Sequence, residues 1–279
     1  MSFVAALSLS CSSEPLARGP RGAPQPAVAS TRPAAEARAP EPTLASPASG
    51  APRSDATPRA PPVASAGPAP PRPPVFANLD PDDDRVVAPP DEIPDCASGL
   101  LAAGVRAEPA RLPVRAAGGG AQCGAPQVVS YVRGPGDLDY RPPRPLLTCG
   151  MALALARFEE LAQAEAEARL GSRIRALRHL GTYSCRKMAR FRLVSEHSYA
   201  NALDVAGFTL ADGRSVDVLR DFGAPAAAPA DPRGEFLRGL ARRAYDEGTF
   251  SVVVTRFFDE LHRDHLHLDL ARYRVDGTR

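Results

Sequence analysis

The histidines of this chain are concentrated in two segments. Five occur in all, and three of them, His262, His265 and His267, fall within nine residues near the end of the sequence. A fourth, His197, is followed seven residues later by Asp204. Histidine is the commonest metal ligand in proteins and titrates near neutral pH, so this clustering predicts a functional site built from both segments.

The spacing within each segment predicts strands that direct these side chains. Residues 264–269 alternate between polar and apolar types, so His265 and His267 would point to one face of a strand. Residues 201–210 alternate as well, and Asp212-Gly213 is the turn signal of a hairpin whose second strand is residues 215–219. In the first strand, one face would then carry Ala202, Asp204, Ala206 and Phe208, and the other face would carry Leu203 and Val205.

Three of these side chains form a plausible zinc site. A catalytic zinc ion is typically held by three protein ligands, which leave a fourth position for water. His197, from a loop, and Asp204 and His267, from neighbouring strands, would make such a set. Zinc lowers the pKa of its water toward about 7 and polarises a carbonyl, which suits amide hydrolysis.

Hydrolysis also needs a group that accepts the water's proton. Asp264 and His265 lie three and two residues before His267, within reach of the same position. Glu196 is a weaker candidate, because its neighbour His197 should point elsewhere. We therefore expect Asp264 and His265 to be the catalytic pair.

Composition divides the chain into three parts. Residues 1–95 hold 21 of the 31 prolines, so residues 13–94 are predicted to be a disordered Pro/Ala-rich linker before one folded domain, residues 95–279. The formal charge of +2 and the lack of an aromatic–basic face argue against nucleic acid as a partner.

The first residues resemble the end of an export signal. Residues 3–11 are apolar and small, and they end at Cys11, the position that would receive lipid in a bacterial lipoprotein. Residues 1–12 are thus interpreted as a signal remnant, with an ordinary secretory signal, or no signal, as alternatives. Membrane contact is expected only through a lipid on Cys11.

The remaining cysteines support export. They number four and form no C-x-x-C pair, which favours two disulfides over a metal or redox motif. Pairing of neighbours along the chain predicts Cys96–Cys123 and Cys149–Cys185, and buried free thiols in a cytosolic protein are the alternative. An exported domain of this kind would lie in the cell envelope.

The order of predicted elements indicates an α+β domain, a small antiparallel sheet bearing the zinc site and flanked by helices. A short helix is expected at 95–101, followed by longer ones at 151–169 and 234–245. Residues 105–107, 127–131, 174–180 and 250–255 are predicted strands, and residues 264–271 are the expected last strand.

Several motifs, taken together, resemble a known family. They are Tyr183-Ser184-Cys185-Arg186, Ser195-Glu196-His197, Asn201-Ala202-Leu203-Asp204-Val205-Ala206-Gly207-Phe208 and His262-x-Asp264-His265-Leu266-His267-Leu268-Asp269. Over about residues 95–271 the chain resembles the bacterial extensin-like C-terminal domain family, and more distantly the zinc superfamily of D-alanyl-D-alanine peptidases, lysostaphin-type endopeptidases and hedgehog domains. Ala200 stands where those peptidases commonly have glycine.

The resemblance implies roles for individual residues. His197, Asp204 and His267 correspond to the zinc ligands, Asp264 to the general base, and His265 to the histidine that assists it. Arg186 lies where the peptidases carry an arginine that stabilises the substrate or the oxyanion. His262 and Asp269 are expected to be supporting residues of the site, and Tyr183 a packing residue.

The resemblance also implies a function. It favours an exported zinc peptidase, expected to be a monomer, that cleaves peptide bonds in peptidoglycan or another cell-wall polymer. The alternative is a zinc-containing module that binds the cell wall without catalysis, since hedgehog-type domains keep the same ligands in a binding role.

Overall fold

The computed structural model describes residues 87–279 apart from 118–120, 190, 192, 225–227 and 230. The predicted signal at 1–12, with Cys11, and residues 13–86 of the predicted linker lie outside the described residues. No helix in the described part of the chain combines the length and apolar character needed to cross a bilayer.

The described residues form helices and strands in mixed order. The helices are α1 (Cys96–Ala102), α2 (Cys149–Leu170), α3 (Val218–Asp221) and α4 (Pro232–Asp246). The strands are β1 (Arg106–Ala116), β2 (Gln122–Arg133), β3 (Asp139–Arg141), β4 (Leu146–Thr148), β5 (Ile174–Gly181), β6 (Ala202–Leu210), β7 (Ser215–Asp217), β8 (Val252–Val254), β9 (Leu266–Asp269) and β10 (Val275–Gly277). The predicted α+β class is confirmed.

The strands form two sheets. β1, β2 and β4 make a small antiparallel sheet, and the larger sheet has the order β10-β8-β9-β6-β5-β3. β7 pairs with the second half of β6, so the predicted hairpin at Asp212-Gly213 is present. The central pairs are antiparallel, whereas β10 runs parallel to β8 and β3 parallel to β5 at the two edges.

Helices α2 and α4 cover one face of the larger sheet. Both contribute to the main core, together with Leu203 of β6, Val253 of β8 and Leu268 of β9. Side chains alternate along a strand, so the residues next to these in sequence point to the opposite face. That opposite face carries Asp204 and His267.

The long helix α2 begins and ends as its sequence predicts. Thr148 caps it by accepting a hydrogen bond from the backbone N–H of Met151 (3.2 Å), and Gly171 ends it in the left-handed conformation, with φ of 64°. The buried Glu165, which interrupts the apolar stripe of this helix, pairs with Arg169 (2.6 Å) and with Arg243 of α4 (3.0 Å). The polar residue therefore joins the two helices.

A β-bulge changes the predicted faces of β6. Arg178 lies opposite Gly207, but the next residue of β5, His179, lies opposite Val205, which leaves Ala206 as the extra residue. Beyond the bulge, Phe208 packs on Phe236 of α4, with ring centroids 5.3 Å apart. The expectation that Phe208 shares a face with Asp204 was therefore wrong.

Two predicted strand ends were also wrong. The strand expected at 215–219 stops at Asp217, whose side chain caps α3 by accepting from the N–H of Arg220 (3.2 Å). The strand expected at 264–271 covers only β9, and it is not the last, because β10 follows and pairs with β8. The pairing partner of β10 lies more than 20 residues away in sequence, so local alternation could not reveal it.

Two disulfides are present, as predicted, but their connectivity differs. The bonds are Cys96–Cys149 and Cys123–Cys185, with sequence separations of 53 and 62 residues. The predicted pairing of chain neighbours was wrong, because the start of α1 packs against the start of α2, while β2 lies beside the loop after β5. Loops of this length stabilise by about 4 kcal/mol each on the chain-entropy model. Two such bonds indicate an oxidising compartment.

Residues 87–94 lie against the domain. The carbonyl of Val87 accepts a hydrogen bond from the hydroxyl of buried Tyr199 (2.6 Å). The side chain of Gln127 bonds both the N–H (2.9 Å) and the carbonyl (3.1 Å) of Ile93. Contacts with the domain therefore begin at least eight residues before the boundary predicted at residue 95.

Candidate metal centre

Three side chains converge on one point on the face of the larger sheet that lies opposite α2 and α4. Nε2 of His197 lies 3.3 Å from Nδ1 of His267 and 3.1 Å from Oδ1 of Asp204. Nδ1 of His267 lies 2.9 Å from the same Asp204 oxygen. These are the three residues that the sequence predicts as zinc ligands, and together they could hold a metal ion. His197, Asp204 and His267 are called the converging group below.

Strand register explains how two of the three residues meet. Asp204 of β6 lies directly opposite His267 of β9 in the antiparallel ladder. Directly opposed residues point to the same face with Cβ atoms about 4.5–5.5 Å apart, so the pairing alone brings the carboxylate to the imidazole.

The third residue, His197, lies in the 3₁₀ turn Glu196–Tyr199 that precedes β6. Ala200 ends this turn in the left-handed conformation, with φ of 56°, and so turns the chain into the strand. This is a conformation that glycine adopts more readily than other residues.

The loop that carries Arg186 is fixed to this turn. The hydroxyl of buried Ser198 accepts from the N–H of Arg186 (2.9 Å) and donates to its carbonyl (2.9 Å). The disulfide from Cys185 to Cys123 ties the same loop to β2. Arg186 is exposed and lines the cavity above the three converging side chains.

The spacing of the donor atoms fits a tetrahedral metal ion. Four donors at about 2.0–2.1 Å from zinc in tetrahedral geometry lie about 3.3–3.4 Å apart. The three observed separations, from 2.9 to 3.3 Å, approach that edge length. Two imidazoles and a carboxylate are also a usual donor set for such an ion.

Mutual contact shifts the pKa values of this group. Burial alone would raise the pKa of Asp204, but hydrogen bonds from His197 and His267 outweigh it and hold the pKa well below its usual range. Burial alone would lower the pKa of His267, but its bonds to Asp204 and Asp269 raise it to about 10. In the metal-free protein, a proton is therefore held tightly between Asp204 and His267, and a metal ion would have to displace it.

A second carboxylate orients His267 from behind. Nε2 of His267 donates to Oδ2 of Asp269 (2.8 Å), and Oδ1 of Asp269 accepts from the N–H of Ala271 (2.9 Å). Because Nε2 is held in this bond, Nδ1 is the nitrogen that can bind a metal ion once its own proton is displaced. Asp269 thus has the supporting position that the sequence predicts for it.

We expect Asp269→Asn to weaken metal binding by about 10- to 100-fold, because the imidazole loses the partner that fixes its tautomer and raises its basicity. Competition with a chromogenic chelator measures the Kd. Asp259→Asn is the matched control, since Asp259 contacts His262, which is outside the converging group, and its Kd should match that of the wild type. Equal affinity of Asp269→Asn and wild type would contradict the role assigned to Asp269.

Buried polar residues connect the site to the first turn of α2. Oε2 of Glu196 accepts from Nδ2 of Asn201 (2.7 Å), and Oδ1 of Asn201 accepts from the hydroxyl of Thr148 (2.8 Å). Burial raises the pKa of Glu196 to about 8, and the neighbouring charge of Asp269 adds to the rise. Glu196 therefore binds a proton more tightly in the folded protein than in the unfolded chain.

This shift predicts a pH-dependent stability. A raised folded pKa contributes stability that is complete below the unfolded pKa of about 4.5 and is lost as pH rises toward about 8. In metal-free protein, the free energy of unfolding should therefore fall between pH 5 and 8. Glu196→Gln, which keeps the shape of the protonated side chain, should reduce that fall by about 2–4 kcal/mol. Urea unfolding in the presence of a chelator measures the free energy of unfolding. A fall of the same size in Glu196→Gln would refute the raised pKa of Glu196.

The predicted catalytic pair lies beside the converging group. Nδ1 of His265 bonds Oδ1 of Asp264 (2.9 Å), and Nε2 of His265 lies 3.6 Å from Oδ1 of Asp204. His265 lines the cavity, whereas the Asp264 side chain is 42% exposed at its outer side. The hydrogen bond from His265 is the main reason that the pKa of Asp264 is lowered.

A further histidine–carboxylate pair was not foreseen. Nδ1 of His262 bonds Oδ1 of Asp259 (2.6 Å), which also accepts from the N–H of Leu261 (3.0 Å). The ring of His262 lies 5.2 Å from that of His265 and 5.8 Å from that of His267, between centroids, and lines the same cavity. The Asp-x-x-His spacing within the 3₁₀ turn Glu260–His262 is the sequence signal that could have revealed the pair.

One comparison with known proteins assigns the chain to a family. The model of the family described as Extensin-like protein C-terminus matches residues 95–278, which include every residue of the converging group. No curated protein and no solved structure matches the chain.

Proposed function

This chain belongs to the extensin-like protein C-terminus family, and we propose that it is a zinc-dependent peptidase that hydrolyses peptide bonds in peptidoglycan. The observation that carries the proposal is the arrangement of His265. Its imidazole, in addition to the two of His197 and His267, is backed by a carboxylate and faces the converging group, proposed here as the metal-binding group, from within the same open cavity. A site that only held a structural metal would not need such a proton carrier.

Zinc is the metal that fits these donors best. His197, Asp204 and His267 supply three ligands, the number that catalytic zinc sites use, and the cavity leaves one side of the group open. When bound, zinc lowers the pKa of a water molecule toward about 7 and polarises a carbonyl. Asp269 holds His267 in the tautomer that binding requires.

The proton steps fall to the Asp264–His265 pair. In hydrolysis a water oxygen bonds to the amide carbon, the C–N bond breaks, and one water proton moves to the leaving nitrogen. Since Asp264 holds Nδ1 of His265, Nε2 is the atom that accepts the proton and returns it to the amine. Asp264 stabilises the imidazolium that forms in between.

Arg186 is assigned to the negative charge that develops on the substrate. Its backbone is fixed by Ser198 and by the neighbouring disulfide, while its side chain is exposed at the rim of the cavity. A guanidinium in this position can pair with a carboxylate of the peptide or with the oxyanion of the reaction.

The cell envelope is the proposed location. The two disulfides need an oxidising compartment, and the Pro-rich segment before the domain would act as a tether if Cys11 carries a lipid, or as a spacer if a signal is cleaved. Peptidoglycan is the polymer that a monomeric tethered peptidase meets there. With a formal charge of +2, the chain is not proposed to bind nucleic acid.

Digestion of purified peptidoglycan tests the function. The zinc-loaded chain should release new muropeptides, detected by chromatography and mass spectrometry, and a chelator should stop their release until zinc is restored. The Asp204→Asn variant is the matched protein control and should release none.

One observation favours a binding module instead. The Asp264 carboxylate, the base that the family resemblance implies, does not line the cavity and is partly exposed. If the zinc-loaded chain co-sediments with peptidoglycan yet releases no muropeptide across sacculi of different cross-link types, the binding module replaces the peptidase.

A further inference from the structure

We propose that the cavity beside the metal-binding group contains a subsite for an aliphatic side chain, of more than one carbon, on the residue next to the attacked bond. The proposal rests on the proposed hydrolysis of peptide bonds, not on peptidoglycan as the polymer, and deepens it by naming the class of side chain accepted beside the attacked bond. It is carried by the strand register of the larger sheet and by the second apolar cluster, which the metal group does not use.

The register places valines in the same rows as the site residues. Across the sheet, His267 of β9 lies directly opposite Val254 of β8, and Asp269 lies opposite Val252. On the far side of β8, Val275 of β10 pairs with Val252. Opposed residues share a face, so the metal-binding face continues as an apolar surface.

The valines belong to a separate cluster rather than to the main core. Val253, between Val252 and Val254, points to the other face and packs with α2 and α4. Val252 and Val254 instead join Tyr273 and Val275 in the second cluster, against which Phe258 packs.

The part of the cavity lined by Val252, Val254 and Val275 is called the valine half. Aromatic and thioether side chains form its walls. The turn after β8 brings Phe258 back over the strand, where its N–H donates to the carbonyl of Thr255 (2.9 Å). Gly277 permits this approach, since a Cβ on it would lie 3.1 Å from Cβ of Phe258. On the opposite side, the Tyr273 hydroxyl contacts Sδ of Met188 (3.6 Å).

The cavity is large enough for more than a methyl group. Its volume is about 310 Å³, shared between the metal-binding half and the valine half, and its surface is mostly apolar. This value lies at the lower end of the range of about 300–1,000 Å³ for ligand pockets. A side chain of several carbons can therefore enter beside a peptide bond held at the metal group.

The charged groups that line the cavity are the carboxylates around the metal-binding group and Arg186 at the rim. Asp269 is bonded to His267 and Asp259 to His262, while Glu196 is bonded to Asn201. The second apolar cluster, among the residues that the structure describes, contains no carboxylate, amine or guanidinium. A charged side chain entering it would lose hydration without a partner, whereas an aliphatic one gains about 4-fold in affinity per buried methylene.

Metal-chelating probes test the subsite without requiring turnover. Calorimetric titration of the zinc-loaded full chain should give a Kd for 4-methylpentanohydroxamic acid at least about 10-fold below that for acetohydroxamic acid. The anionic glutaric monohydroxamic acid should bind no better than the acetyl compound. Equal binding of all three probes, or binding of none, overturns the subsite.

Two substitutions tie the preference to the valine surface. Val254→Thr keeps the shape but adds a hydroxyl, so it should reduce the preference for the branched probe by about 5-fold. Val254→Ala should reduce it as well, which covers the case that the threonine variant does not fold. Val114→Thr, on the exposed β1, is the matched control and should retain the full preference. A preference that survives both Val254 changes overturns the assignment.

The outcomes separate this subsite from the peptidase itself. A chain that prefers the branched probe but cleaves no peptide retains the subsite and loses the peptidase. A chain that cleaves muropeptides while binding all probes equally retains the peptidase and loses the subsite.

Discussion

Replacing His267 by alanine should reduce bound zinc from about one ion per chain to almost none and abolish muropeptide release. His267 would supply one of the three proposed ligand atoms, and the two that remain would not hold zinc against hydration at micromolar protein concentration. Elemental analysis of the protein after dialysis measures the metal, and chromatography of digested peptidoglycan measures the release. His197→Ala should give the same result, because its Nε2 faces the same point.

Two controls make the result specific. His262→Gln changes a histidine of the same cavity that lies outside the converging group, so it should retain the metal. His179→Gln changes a buried histidine of β5 whose Nε2 bonds the carbonyl of Pro142 (2.8 Å), and it should retain the metal as well. Circular dichroism should show that all four variants are folded. Full zinc occupancy in both His267→Ala and His197→Ala would remove the proposed ligand set.

Replacing His265 by alanine should lower the rate of hydrolysis by about 10²- to 10⁴-fold, the usual cost of removing a positioned acid–base group. Zinc content should stay near that of the wild type, because His265 is not one of the three ligands. The readouts are the initial rate of muropeptide release and elemental analysis of the same samples. Together they separate the loss of a proton carrier from the loss of the metal.

Asp264 and His262 provide the matched comparisons for this test. Asp264→Asn leaves the imidazole in place but removes the charge behind its Nδ1, so it should retain zinc and lose rate as well. His262→Ala removes a neighbouring imidazole backed by Asp259, and should lower the rate less than His265→Ala. If His265→Ala hydrolyses as fast as wild type while His262→Ala does not, the proton carrier is His262.

Short stretches of the sequence are enough to predict which side chains form the candidate site. The His197 and Asp204 spacing places one ligand before a strand and another within it, and the alternation around His267 places that residue on an inward-facing position. Thr148 and Gly171 mark the ends of α2 through caps that act within one turn. Such features depend on residues a few positions apart, so they can be predicted from the sequence.

Other features depend on residues far apart in sequence. Four cysteines allow three pairings, and only the docking of α1 on α2 selects Cys96–Cys149. The parallel pairing of β10 with β8 is likewise a long-range contact. It creates the apolar half of the cavity, which no local pattern near His267 indicates.

The sequence by itself predicted the three side chains of the candidate metal centre, His197, Asp204 and His267, because their types and local spacing are visible in it. Tertiary structure alone decided what surrounds them. The bulge at Ala206 turned Phe208 toward α4, and the register of β8 placed Val254 beside His267. Local alternation sets the face of a side chain, but its neighbours on that face come from strands that the folded core brings together.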